Sequence, residues 1–469
     1  MVDVEIGDPG SPFQASFGRK RFLKNAAVAV AALSGAAGAG GVGTASAAVN
    51  KLNAQGRDPL IFNGWGFEVS MVNQWVARFN KQNHENASFN VIPGDYPSVM
   101  ETRLLNHQKV DTSYVLDSDF ARWVKAHWIH DFESWPSVAK AKAEMYPSVI
   151  EGLTIDGKLY GLPYFTSVSG CIATNQKLLN KVGIQPKDYP KTWKELYDQM
   201  RHIKKSGAAQ TPWLPRWINE YFGIGISIYE EMAAQGLELV DAKGHPIFSG
   251  KTEHVRVLED GKRAWDDGLI PKSVLTMSET DQIDGFSTGK YAMSQQQIYD
   301  AIGTFNNPQR SRIAGYCRFV PFTKQAWGHL QLGAYVVPNY NQNADQLARD
   351  FRLAGWAGYK DNTGDYYVAK RWAVVQTLGS GYRAVLEDPQ VIAAYKKLMP
   401  DYRTMMPQLK QAMSLVKPLR ATRQIWFTDW NAKARQILPN VMLGSISPAA
   451  ALDQLRAEAD RLVQRYHSA

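Results

Sequence analysis

The residue types able to grip a small polar molecule stand at the ends of short apolar runs. Trp65 sits between Gly64 and Gly66, just after Asp58–Phe62 and Asn63. A large ring flanked by glycines is hard to bury in a core, so it is a candidate flat contact face; a structural turn is the alternative. Asp117 and Asp119 follow the run Thr112–Leu116. Carboxylates two residues apart suit hydroxyl binding as well as acid/base work, and either could instead cap the next helix. His127, His130 and Asp131 could share a helix face and hold a metal, although a solvated helix end fits them better. The signatures G-x-S-x-G, H-E-x-x-H and the P-loop are absent, and Phe222-Gly223-Ile224-Gly225 is only a fragment of G-x-G-x-x-G. This inventory points to binding rather than catalysis and implies neither cofactor nor metal.

The scaffold for these residues alternates short apolar runs with amphipathic stretches. Asp58–Phe62, Ser88–Ile92 and Thr112–Leu116 read as strands. Between and after them come a helix with Met71, Trp75, Val76 and Phe79 on one face, a helix over Tyr96–Leu105, and a helix carrying Phe120, Trp123 and Val124. This β-α-β-α-β-α order predicts an α/β fold with an open, mainly parallel sheet, whose ligands sit beyond the C-terminal strand ends. Trp65, Tyr96, Asp117 and Asp119 fall at or near those ends.

With 469 residues, 45% hydrophobic and 21% charged, the chain has ample core for two or three domains of about 150 residues. Two cysteines exclude a disulfide scaffold. After residue 48 no apolar run approaches the ~20 residues that a membrane-spanning helix needs. The net charge of +9 comes from Lys and Arg scattered along the chain, without an arginine-rich tract. It reads as a basic solvated surface, and no nucleic acid partner is expected.

Residues 1–48 read as an address. Gly18-Arg19-Lys20-Arg21-Phe22-Leu23-Lys24 precedes a mild Ala/Gly-rich stretch from Asn25 to Gly43, and Ala45-Ser46-Ala47 offers the small side chains of a cleavage site. The cluster resembles a twin-arginine export signal, departing from it at Gly18 and Lys20, which leaves the general secretory route open. Cleavage near Ala47 or Ala48 is expected in preference to a retained anchor, because Gly and Ala insert weakly into a bilayer.

Further along, Asp156-Gly157-Lys158-Leu159-Tyr160-Gly161-Leu162-Pro163 leads into a long extended run to Ala173. Thr174-Asn175-Gln176-Lys177-Leu178-Leu179 follows, then Gly183, and then Lys191-Thr192-Trp193-Lys194-Glu195-Leu196, where Thr192 is an N-cap and Glu195 stands at the capping-box position. This stretch resembles the family 1 extracellular solute-binding proteins, the maltose-binding-protein-like sugar receptors of ABC importers. Phe286–Met293, Tyr316–Pro321, Leu332–Pro338, Leu378–Arg383 and Met442–Leu452 resemble further family motifs in the family's order.

The resemblance implies a two-lobed, periplasmic-binding-protein-like fold of type II, each lobe a mainly parallel sheet flanked by helices, with the ligand in the cleft between lobes. Lobe 1 would comprise 49–163 plus 330–379 and lobe 2 would comprise 164–329 plus 380–469. Hinges are expected near Leu162–Ser167, Leu332–Tyr335 and Leu378–Arg383. The implied function is a periplasmic receptor that captures a carbohydrate or polyol and delivers it, as a monomer, to an ABC permease pair with its ATPase.

The same resemblance nominates contacts. Asp117 and Asp119 stand where members place hydroxyl-binding groups, and Tyr164 follows the family's G-L-P. Trp213 and Trp217 stand where members carry an aromatic wall in the second lobe. Tyr299 falls where many members stack a ring on the sugar, with Gln295 and Gln297 as hydroxyl partners. Arg383 matches a hinge arginine that some members turn toward polar or anionic groups; a hinge salt bridge is the alternative. Two other readings compete. An exported glycoside hydrolase or lyase would release product from a polysaccharide, and a basic adhesion protein would have no cleft. Cys171 and Cys317, in strands expected in the second lobe, should be buried free thiols rather than a disulfide.

Overall fold

The computed structural model describes residues 57–93, 96–322, 327–340 and 343–467. The expected export signal, residues 1–48, lies outside them. The first lobe opens with β1 (Ile61–Gly64), α1 (Val69–Asn83), β2 (Ser88–Val91), α2 (Tyr96–Leu105), β3 (Thr112–Leu116) and α3 (Asp117–Lys125). Pairing in β1 begins at Ile61 opposite Ser88, later than the apolar run suggests. Pro59 has no amide proton to give to a ladder. α1 buries Met71, Val72, Trp75, Val76 and Phe79, the stripe a period of 3.6 requires.

The chain then passes out along β4 (Leu162–Asn175), whose fourteen residues are all buried. α4 (Trp193–Lys205) follows, capped by Thr192 Oγ1, which accepts from the Glu195 amide at 3.2 Å. Glu195 reaches back to the Lys191 amide at 2.8 Å rather than to that of Thr192, so the cap is reciprocal one residue further out. β5 (Trp213–Leu214), α5 (Ile224–Ala234), β6 (Met293–Gln297) and β7 (Cys317–Phe319) complete the far side. The chain returns along β8 (His329–Val336) into α6 (Ala344–Gly358). The terminal helices α7 (Phe427–Met442) and α8 (Pro448–His467) pack on each other, and α7 packs on α5. Cys171 and Cys317 are buried free thiols.

These strands form one sheet in the order β2-β1-β3-β8-β4-β6-β5, with β7 paired to the far end of β4. The ladders are parallel between β1 and β2, β1 and β3, and β5 and β6. They are antiparallel where β8 meets β3 and β4, and where β4 meets β6. A chain that leaves along β4 and comes back along β8 must run both ways, so the parallel character belongs to the outer strands. A third passage lies beside these two: the Thr166 amide donates to the Gly379 carbonyl at 2.9 Å, and Thr166 also faces Leu332 across the β4–β8 ladder. The three expected hinge segments therefore meet at one residue.

β4 bulges between Ser169 and Cys171 in its pairing with β6. Gly170, with φ +81°, supplies the bulge, and a Cβ there would stand 2.5 Å from Glu230 Oε2. Glycine is thus required both by its dihedral and by the carboxylate beside it.

Candidate functional site

Alternation along paired strands puts Ser167 and Ser169 of β4 on one face with their partners Gln331 and His329 of β8. This face joins the lobes. Ser167 Oγ donates to Gln297 Oε1 at 2.8 Å, and Gln297 Nε2 donates to Ser169 Oγ at 3.1 Å. Arg216, 1% exposed, donates to Ser169 Oγ at 3.3 Å and to Glu279 Oε1 at 2.9 Å. Its Nε makes no hydrogen bond within the described residues. Burial, with the charge of Glu279 adding, pushes Glu220 up to about 7. Asp300 is also pushed up to about 7, mainly by burial, and its Oδ2 has no donor among the described residues. Glu230 is buried behind this array, accepting from Gln295 Nε2 at 2.9 Å, with His329 Nδ1 2.9 Å from its other oxygen. That second contact is an ion-pair approach without hydrogen-bond alignment.

The first lobe offers rings. Trp65 stacks on Tyr114 with centroids 4.7 Å apart, meets Tyr96 edge-on at 5.0 Å, and tilts against Tyr164 at 5.7 Å. Tyr164 stacks on Tyr114 at 4.3 Å and turns its edge to Trp372 at 5.1 Å. Trp65 remains 9% exposed, so the glycine-flanked ring lies at the rim of an aromatic cluster rather than standing free. Asp117 borders a small cavity with Gly152, Leu332 and Arg423, and burial pushes it up to about 7, with His329 pulling the other way.

Asp117 and Asp119 occupy the first turn of α3, where carboxylates suit the positive end of the helix. Asp119 accepts from Ser118 Oγ at 3.1 Å and, from across the cleft, Thr428 Oγ1 at 3.2 Å. A second tie runs from Arg122 to Asp429 at 3.2 Å. Burial, followed by the charge of Asp119, pushes the phenol of Tyr221 well up.

Of the nominated residues, Trp65, Asp117, Asp119, Tyr164, Gln297 and Tyr299 border this region. Tyr299 is partly buried, with its phenol raised by burial and by the charges of Asp300 and Glu279. Gln295 lies one layer back, committed to Ser227 and Glu230. Trp213 and Trp217 do not form a wall: Trp213 is 0% exposed and meets Trp193 edge-on at 6.3 Å, while Trp217 packs over Gly261. Arg383 is exposed and lies 5.4 Å from the Tyr146 ring centroid.

Between the two tryptophans, Arg216 turns to Ser169 of the crossing instead. Ser167, Ser169, Glu220, Glu279 and Gln331 also escaped the sequence reading: the serines are small polar residues inside an apolar run, which give no periodic signal, and the others are brought to the crossing only by the fold. Among the described residues no His/Cys/Asp/Glu group has metal-binding geometry, His127, His130 and Asp131 included. A surface crevice of about 690 Å³, bordered by Lys181, His202 and Ser206, lies at the end of α4, in the second lobe.

Known proteins share this architecture. The maltose-bound MalE3 of T. maritima superposes with a TM-score of 0.70 at 16% identity, over 86% of this chain and 99% of that one. A solute-binding protein of an ABC transporter from Agrobacterium radiobacter K84, in complex with ribitol, gives 0.70 at 14% identity, over 86% and 98%. One from Agrobacterium vitis S4 with bound D-mannitol gives 0.66 at 17% identity, over 87% and 99%. Identities this low speak for the fold, the two-lobed α/β fold of type II binding proteins. In sequence, a curated relative is the sn-glycerol-3-phosphate-binding periplasmic protein UgpB of Agrobacterium fabrum, 30% identical over 112 residues. That alignment spans 22% of this chain and 25% of UgpB. The family model for bacterial extracellular solute-binding proteins matches residues 74–414, a span that holds every crossing strand described above, and with that match the chain belongs to the bacterial extracellular solute-binding protein family.

Proposed function

We propose that this protein is the extracytoplasmic receptor of an ABC importer, capturing a carbohydrate or polyol between lobe 1 (49–163 plus 330–379) and lobe 2 (164–329 plus 380–469). A permease pair with its ATPase would accept the loaded receptor. The reading rests above all on the pairing of aromatic faces with convergent polar groups: Trp65 and Tyr164 from one side, Ser167, Ser169, Gln297 and Arg216 at the crossing. Rings cover the C–H faces of a sugar and the polar groups exchange hydrogen bonds with its hydroxyls. Sugars and polyols bound to MalE3 and to the two Agrobacterium proteins support the same ligand class. Export by the twin-arginine route and a monomeric state belong to this reading.

Thermal-shift screening of the mature protein across sugars and polyols tests it, followed by chromatography of the released ligand. The expected result is a shift at one saturable site, with affinity near micromolar, about −8 kcal/mol, and recovery of the ligand unchanged. Release of new product from a polysaccharide would instead support the glycoside hydrolase or lyase reading.

A further inference from the structure

We propose that the cleft takes a polyhydroxylated ligand bearing an ammonium group and rejects phosphorylated or carboxylated sugars. This rests on the receptor reading above and narrows its ligand class.

The chain as a whole carries +9, yet its cleft concentrates carboxylates: Asp117 on the first lobe, Glu220, Glu279 and Asp300 around the crossing. The guanidiniums beside them each already hold a carboxylate: Arg216 pairs with Glu279 at 2.9 Å, keeping only its Nε without a partner among the described residues, and Arg122 pairs with Asp429 at 3.2 Å. A phosphate would have to displace one of these carboxylates to obtain the paired guanidinium that such a group needs.

A second observation is independent of charge. Among the described residues, Gln331 Oε1 and Asp300 Oδ2 are buried acceptors that find no donor, and both residues are at least nine-tenths buried. Gln331 shares the crossing face with Ser167 and Ser169, and Asp300 lies within the field of Arg216 and Glu279. Orphaned acceptors ask for a ligand rich in donors, and an ammonium is donor-only, whereas a phosphate or carboxylate brings further acceptors. Burial also pushes Asp117, Glu220 and Asp300 up to about 7. An adjacent cation relieves that burden and an anion adds to it. The rings of Trp65 and Tyr164 at the same cleft tolerate a cation on their faces as readily as a C–H surface.

The test is calorimetric titration of the mature protein with charge-matched sets: glucose, glucosamine and glucose 6-phosphate; glucitol, N-methylglucamine and glucitol 6-phosphate; and sn-glycerol 3-phosphate alone. In at least one set the ammonium member should bind about tenfold or more tighter than the neutral one, and the phosphates should bind weakest. Glu220→Gln, shown to be folded by its melting curve, should shrink the ammonium-to-neutral ratio about fivefold or more.

Neutral and ammonium members binding alike, or a phosphate binding best, would overturn the proposal while leaving a sugar receptor in place. A ratio unchanged in Glu220→Gln would overturn it too, since the cleft carboxylates would then not be reading the charge. Silence from all seven probes and from the wider sugar and polyol screen would sink the receptor reading together with this one.

Discussion

The Thr166 amide donates to the Gly379 carbonyl at 2.9 Å, and across the other edge the same residue faces Leu332, so a single threonine joins all three passages between the lobes. Gly379 has no room for a side chain: a Cβ would stand 2.5 Å from the Thr166 carbonyl oxygen. Gly379→Ala should force the third passage off its neighbour and lower stability by about 1–3 kcal/mol, read as an earlier urea midpoint. In the parent protein, small-angle scattering should show a smaller radius of gyration when ligand saturates the cleft, because closure is absorbed by a few connecting residues. An unchanged radius would speak against closure.

Trp65 and Tyr299 should separate by their side effects. Removing either ring should weaken ligand binding by about 1–3 kcal/mol if it is desolvated against the ligand. Trp65→Ala should also lower the melting temperature, since its ring is stacked on Tyr114 and packed on Tyr96 and Tyr164. Titration and melting of both variants side by side check this; parental affinity in Tyr299→Ala would remove that residue from the site.

Trp213 provides the contrasting case. Fully buried against Trp193 in the second lobe, it should behave as core: Trp213→Ala is expected to cost about 3–5 kcal/mol of stability. The affinity of the protein that remains folded should stay within about twofold of the parent. A large loss of affinity at preserved stability would return Trp213 to the ligand wall.

A carboxyl pair in the first lobe predicts a pH dependence. Asp350 and Asp111 both accept from Gln346 Nε2, at 2.8 and 3.0 Å, and Asp111 also accepts from the Tyr340 hydroxyl. Burial, and then the charge of Asp111, pushes Asp350 well above the usual carboxylate range. A folded pKa raised above the unfolded value of about 3.9 favours the neutral form in the fold. The stability this group contributes is therefore full at acid pH and is lost as pH rises from about 4 toward the folded pKa. Asp350→Asn should stabilise the protein at pH 8 by about 1–3 kcal/mol and have less effect at pH 5. Urea unfolding at both values measures it; equal effects at the two values would mean that the pair is not titrating.

The two thiols offer a chemical check. Burial raises Cys171 and Cys317 well above an ordinary thiol, so neither should react with a thiol reagent in the native protein. Both should react once the unreduced protein is denatured. Zero reactive thiols under denaturing conditions would mean a disulfide that the buried, separate thiols of this structure do not form.

Long, strongly periodic elements were legible in the sequence. The stripe of α1, the β3–α3 junction, the extended run of β4 and the Thr192 cap all stand where the residues indicate. What local sequence does not carry is depth. Arg216, Trp213 and Trp217 lie within five residues, and only the sheet decides that the guanidinium reaches the crossing while both rings turn into the core. Arg383 illustrates the same limit: its neighbour Gly379 packs beside Thr166, but the Arg383 side chain lies over Tyr146. Ser167, Ser169 and Gln331 acquire their meaning from a β4–β8 register set by distant residues, which no window of neighbours reveals.

That register also orders events in time. β4 lies at the middle of the sheet, and its neighbour toward the first lobe is β8, so β4 has no partner on that side until the chain has been made to His329–Val336. During synthesis it is a fourteen-residue segment, destined for complete burial, with one edge unpaired while residues 176–328 are made. A chain stopped before His329 would leave that edge of β4 open, so the middle of the sheet closes only when the return strand is made.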